Sequence, residues 1–151
     1  MKIIAGVCVV KDNKILMVQE GWGNFKGMWN MPAGKLEEGE NIFDGAIREM
    51  KEETGYDVKL TGLVDIKNCI FSDMHHVLIN FQAEIVGGGV NFDADEIMNV
   101  KFLDLKEVSQ MTDKELRGGE IRKSTIRNLL DNKVYPLEIV SNYVQNHSGS
   151  K

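Results

Sequence analysis

Apolar, β-branched residues fill Ile3–Val10 and Ile15–Gln19, and Asp12-Asn13 sits between them. This pattern predicts a two-stranded hairpin. Glu20–Gly27 holds three glycines with Trp22 and Phe25 and reads as a loop. Trp29–Met31 has the look of a short strand that Pro32-Ala33-Gly34 ends. The spacing of Ile42–Thr54 is helical, with Gly55 where a left-handed cap falls. Asp57–Phe71 predicts one long strand or a strand pair, broken near Gly62. Val77, Ile79, Phe81, Ala83 and Ile85 alternate with more polar residues, so Val77–Val86 reads as a strand with one buried face. Gly87-Gly88-Gly89 reads as a loop, Val100–Leu105 as a strand and Leu105–Met111 as a short helix. Glu120–Asn132 closes the series as a second long helix. Strands, a helix, more strands and a helix imply a mixed sheet flanked by helices rather than regular βαβ winding.

Composition narrows the class. At 151 residues the chain is one domain's worth, expected over residues 1–146 with a frayed tail at 147–151. Hydrophobic residues at 42% and charged residues at 27% suit a packed soluble domain and exclude a largely disordered chain. The net charge of −5 repels a phosphate backbone, so no nucleic-acid polymer is expected as a partner. A small polyphosphate remains compatible if a cation stands between it and the protein. The run Ile3–Val10 is too short to span a membrane, and the charged Lys11–Lys14 stretch behind it lacks a cleavage pattern. Cys8 and Cys69 have no metal-type spacing. Reduced thiols in a cytoplasmic protein are expected, with a single disulfide as the alternative.

The predicted helix Ile42–Thr54 carries the chemistry. On a helical wheel Phe43, Ala46, Ile47, Met50 and Thr54 fall within an arc of about 100° that packs on the sheet. Glu49, Glu52 and Glu53, at i, i+3 and i+4, gather on the adjacent arc. Such like charges cost a few tenths of a kcal/mol per pair, and the C-terminal end of the helix dipole disfavours anions. A hard divalent cation offsets both, and Mg²⁺ prefers carboxylate oxygens and bridges to phosphates. Gly45 lies one turn earlier, where a missing side chain would admit a phosphate. The competing reading is a solvated acidic face.

A longer pattern decides between them. Gly34, then five residues to Glu40, seven more, then Arg48-Glu49-Met50-Lys51-Glu52-Glu53-Thr54-Gly55-Tyr56 resembles a full-length Nudix box. Every charged and glycine position is filled, while Met50 and Tyr56 replace the usual aliphatic residues. The resemblance implies an α/β/α sandwich (α+β) around a central mixed sheet. It implies hydrolysis of nucleoside diphosphates linked to another moiety, with Mg²⁺ or Mn²⁺. By position Glu49 and Glu53 are implied as metal ligands, Glu52 as ligand or base, and the carbonyl of Ala33 as a further ligand. Arg48 is implied to orient the box carboxylates, and Glu40 to support the loop. The chemistry is consistent, because phosphoanhydride hydrolysis needs an in-line water and neutralised charge on the leaving phosphate. No Ser–His–Asp or Cys–His constellation stands out as a nucleophile.

Substrate choice is less legible. Pro32-Ala33-Gly34 in place of Pro-Gly-Gly, with Tyr135-Pro136-Leu137-Glu138, is similar to a bacterial phosphatase-type branch. That branch takes orthophosphate from nucleoside di- and triphosphates and a thiamin-precursor pyrophosphate. The mutator-type branch, which releases pyrophosphate from oxidised nucleoside triphosphates, is the alternative. Glu96 is a candidate further ligand, against a solvated acidic turn. Trp22 and Phe25 are candidate lid residues that stack on a base, while Trp29 is expected in the core. Lys26 and Lys35 are candidates to meet substrate phosphates, with plain exposed lysines the equal alternative; Gly34 is a candidate substrate-binding position, and His75 and His76 are expected at an exposed hairpin tip. The expected partner is a small nucleotide or pyrophosphate, and a homodimer is an open expectation. A non-catalytic binding module on the same fold would be expected to lack a box carboxylate, and none is missing.

Overall fold

The computed structural model describes residues 1–143 and 145, so the expected frayed tail lies outside the described residues. Strand β1 (Lys2–Cys8) is followed by β2 (Val10–Lys11), β3 (Lys14–Glu20), β4 (Trp29–Asn30) and β5 (Ala33–Lys35). Helix α1 (Ile42–Thr54) leads to β6 (Tyr56–Phe71), β7 (Met74–Gly88) and β8 (Ile97–Asp104). Helices α2 (Leu105–Ser109) and α3 (Glu120–Leu130) and strand β9 (Tyr135–Pro136) complete the order. One sheet runs β5-β1-β7-β6-β9 and is mixed, since β1 is parallel to β7 and antiparallel to β5. In the second, β3 pairs with β2, β4 and β8.

The expected hairpin is only partly formed. Asp12 and Asn13 take left-handed φ values of 52° and 62° and close a tight turn, but only Val10 and Lys11 pair across it. The earlier residues leave for the centre of the other sheet. The physical reason is that Ala5–Val9 is apolar at every position and buried throughout. A strand buried on both faces belongs inside a sheet, not in a half-exposed hairpin. The strand at Trp29 does end before Pro32, as expected, but Ala33 and Gly34 then open a new strand, β5, against β1, with Ala33 opposite Gly6. The β6–β7 hairpin is longer than expected. It turns at Ser72-Asp73 and carries pairing through Gly87 and Gly88 instead of opening into a loop there.

Two cores lie on opposite sides of the sheets. Ala46 and Met50 of α1 pack on Val7, Leu63 and Phe81. Val108, Ile126 and Leu129 of α2 and α3 pack on Ile15, Met17 and Val64. Alternation along β1 sends Val7 to the first cluster and Cys8 to the second. Ile47, expected on the packing face, is 36% exposed, because Ala46 and Met50 centre the buried stripe and leave it at the rim. Cys8 and Cys69 are free thiols, and burial pushes Cys8 up to about 12. Among the described residues no helix is long and apolar enough to cross a membrane.

Candidate active site

Helix α1 begins where Asn41 Oδ1 accepts the Asp44 N–H at 2.9 Å, and it ends on Gly55 at φ 87°. These caps set the phase that carries Arg48, Glu49, Glu52 and Glu53 to the side facing β5. The Arg48 guanidinium organises this side. It donates through Nε and Nη2 to both Glu40 oxygens, at 2.7 and 2.9 Å. Its Nη1 reaches Glu49 at 2.9 Å and Glu52 at 3.2 Å. Its Nη2 also donates to the Lys35 carbonyl at 3.1 Å. The Glu37 N–H donates to Glu40 at 3.1 Å, which fixes the loop before the helix. The guanidinium holds Glu40 below the usual carboxylate range.

Glu53 sits differently. It accepts the Ala33 N–H at 2.7 Å, so the main-chain group of Ala33 engaged here is its N–H. Burial pushes the Glu53 carboxyl up to about 8, with the charges of Glu49 and Glu20 adding to it against the Ala33 hydrogen bond. Burial also raises Glu49, against the pull of Arg48. Gly34 makes the approach of Glu49 possible: a Cβ there would stand 2.0 Å from the Glu49 carboxyl carbon.

Other expected positions fare unevenly. Gly45 does not open the helix to a phosphate, because Leu36 fills the space, with its Cδ2 only 2.2 Å from where a Gly45 Cβ would stand. Glu52 is exposed and touches Arg48 alone among the hydrogen-bonding groups described. The side chain of Glu96 is exposed, and its carbonyl accepts the Gly21 N–H at 2.8 Å. Among the described residues no three His, Cys, Asp or Glu side chains are drawn close enough to hold a metal ion. The donor set nevertheless suits one. It is all oxygen, cradled at Gly34, and Glu53 keeps a proton that a cation would displace. Arg48 supplies neutralising charge to Glu49 and Glu52, but not to Glu53.

A cavity of about 560 Å³ opens beside Ala33, Gly34 and Lys35. Phe25 and Phe71 line it, as does His76, whose ring stands edge-on to Phe71 at 5.1 Å and is not simply exposed. Trp22 is 69% exposed and faces a neighbouring hollow instead. Lys26 is exposed. Sequence reasoning passed over three residues here. Arg117 donates to Glu20 at 3.1 Å and lies 4.0 Å over the Phe25 ring. Asn30 and Arg122 are buried in the cavity wall. Arg122 had a signal, since it shares the spacing of Thr125, Ile126 and Leu129 on the buried stripe of α3. Tyr135-Pro136 is structural, pairing with Gly62 and Leu63 away from this cavity.

The chain belongs to the Nudix family, whose NUDIX domain model matches residues 1–128. It is 31% identical over 105 residues to an ADP-ribose pyrophosphatase of Methanocaldococcus jannaschii, covering 68% of this chain and 62% of that protein. Over 107 residues it is 32% identical to the 8-oxo-dGDP phosphatase NUDT18 of Danio rerio, covering 69% of this chain and 32% of that protein. The chain thus spans less than two thirds of these relatives. A solved NUDIX hydrolase from Nitrosomonas europaea matches with a TM-score of 0.79 at 24% identity, over 94% of this chain and 97% of that one. The mutator MutT protein of Bacillus halodurans matches with a TM-score of 0.69 at 25% identity, over 86% and 82%. The mixed α+β fold expected from the resemblance is therefore the fold adopted.

Proposed function

We propose that this chain hydrolyses a phosphoanhydride bond of a nucleoside di- or triphosphate, or of a related small pyrophosphate, with Mg²⁺ or Mn²⁺. The observation that carries this is the convergence of Glu49 and Glu53 beside β5, at the edge of a cavity large enough for a nucleotide. Glu49 and Glu53 would hold the cation, with Glu52 able to swing from Arg48 to join them. A divalent cation bound there supplies charge neutralisation on the phosphates and a more acidic water. Glu53, which holds a proton to about pH 8 when no cation is near, suits a proton-accepting role as well as ligation. Arg48 keeps Glu49 and Glu52 oriented and Glu40 keeps the loop in place. Lys35 at the cavity edge meets the phosphates. Phe25, held by Arg117, covers the cavity.

Purified protein with Mg²⁺ is assayed against nucleotides, with orthophosphate and pyrophosphate read separately. Turnover in wild type, abolished by chelation and reduced at least about hundredfold in Glu53→Gln, supports the reading. An unchanged rate in Glu53→Gln contradicts it. Orthophosphate as product identifies the phosphatase type and pyrophosphate the mutator type. Tight nucleotide binding without turnover would instead mark a binding module.

A further inference from the structure

Beyond Leu63 one edge of β6 is open. Strand β9 covers Gly62 and Leu63, and among the described residues no strand and no further backbone hydrogen bond meets residues 64–71 from that side. On its other side β6 pairs with β7 residue for residue from Asp65 to Phe71, and its register shifts all lie before Asp65. An open edge offers a row of N–H and C=O groups to another strand, and proteins blunt such edges with proline, lysine or a bulge. This stretch carries none of those guards. It contains no proline. Lys67 is tied to Asp65 at 2.6 Å, with 15% of its side chain exposed. Ile66, Asn68 and Ile70 stand on the other face of the strand, where Ile66 is 59% and Ile70 68% exposed.

The stretch is complementary to itself. Two antiparallel copies related by a two-fold axis must be centred on one residue, because side chains alternate between the faces with a period of two. Centred on Asn68, Ile66 of each copy stands opposite Ile70 of the other, and such β-branched pairs stabilise a sheet. Lys67 then stands opposite Cys69. Centring on Lys67 would set two ammonium groups opposite one another, and centring on Cys69 would leave Ile66 facing the turn at Ser72. Asn68 is also the midpoint of Asp65–Phe71. In this register Phe71 of the second copy falls opposite Asp65, where a hollow of about 310 Å³ opens between Val64, Ile66, Tyr135 and Ile139. Asp65 and Lys67 neutralise each other, so two acidic chains meet here without local repulsion.

We propose that the Asp65–Phe71 edge of β6 is a homodimer interface, at which the β6 strands of two copies pair antiparallel about Asn68 and join their five-stranded sheets into one. The two-fold axis closes the pairing, so neither β6 edge is left for a third chain. About ten residues a side place the contact at the low end of specific interfaces, on the order of 1,000 Å² in total, and the dimer dissociates in the micromolar range. The pairing also braces the hairpin tip that carries Phe71 and His76 of the cavity wall.

Sedimentation equilibrium on the full chain, between about 1 and about 500 μM, tests this. The wild-type mass is expected to rise from 17.0 kDa to twice that and no further. Ile66→Lys and Ile70→Glu, both at exposed positions, are each expected to weaken association at least about tenfold with an unchanged melting temperature. Mixed in equal amounts, the two variants are expected to associate at least about tenfold more tightly than either alone, because the introduced ammonium of one chain faces the introduced carboxylate of the other. Added salt is expected to weaken that mixed dimer. A wild type that stays at 17.0 kDa throughout, masses that climb past two copies, association that both substitutions leave unchanged, or a mixture no tighter than its components overturns the proposal.

Discussion

Gly34 and Glu49 occupy one space: the backbone of β5 leaves no room for even a methyl group, because the Glu49 carboxyl oxygens lie 2.2 and 2.3 Å from where it would stand. Gly34→Ala must therefore push Glu49 from the crease or push β5 from β1. Glu49 is the softer of the two, being a side chain. We expect kcat/KM to fall by about a hundredfold or more with a melting temperature near that of wild type, as displacements of about 1 Å at a reacting centre do. Steady-state kinetics and calorimetry on the same variant check this.

Glu53 makes stability depend on pH when no divalent cation is bound. The unfolded chain releases this proton near 4.5, while the folded chain keeps it up to about 8. Between those values the folded state holds more protons, so stability falls as pH rises, by on the order of 2–4 kcal/mol at pH 8. Urea unfolding in chelator is expected to show this slope, and Glu53→Gln to flatten it. Mg²⁺ is expected to stabilise wild type more at pH 8 than at pH 5.

Asp65 has the opposite sign. It accepts from Asn80 at 2.7 Å, Lys67 at 2.6 Å and Asn128 at 3.0 Å, tying β6, β7 and α3 together. Burial alone would raise its carboxyl, but Lys67 and the amide donors hold it below its ordinary 3.8. Its contribution is present above about pH 4 and lost as pH falls through the lower folded value. Asp65→Ala is expected to cost about 2–4 kcal/mol at pH 7 by stranding Lys67 and Asn80, measured by chemical denaturation.

Arg48→Lys tests the guanidinium as an organiser. A lysine offers one compact charge and cannot meet both Glu40 oxygens and Glu49 together. Stability is expected to fall by about 1–2 kcal/mol, and kcat more than KM, since Arg48 is bonded to three box carboxylates and stands behind them. An unchanged kcat would exclude this role.

The helix of the box was legible because its C-terminal cap, periodicity and charge spacing all agree. Gly55 and the alternation of Ala46 and Met50 with Glu49 and Glu53 point one way, while the Asn41 cap is seen only in the structure. The chain partners of the strands were less legible. Ala5–Val9 is equally apolar in a hairpin or a central strand, and only the distant β7 decides between them. The resemblance implied that Arg48 orients the box carboxylates and that Glu40 supports the loop; that Arg48 does so by bonding Glu40 itself is a fact of the folded chain. The role of Gly45 did not follow, since the position of Leu36 against the helix is a tertiary fact. Arg117 and Arg122 lie far along the chain from the box and join the cavity only through the packing of α3 and its approach.

The account centres on the box carboxylates of α1 taking up a divalent cation. Mn²⁺ titration followed by electron paramagnetic resonance tests this on wild type and on the Glu49→Gln, Glu53→Gln pair, without requiring any substrate. Wild type is expected to bind Mn²⁺ at least about tenfold more tightly than the double variant, with Mg²⁺ competing. Equal uptake by both proteins, or none by either with nucleotide present, would contradict it.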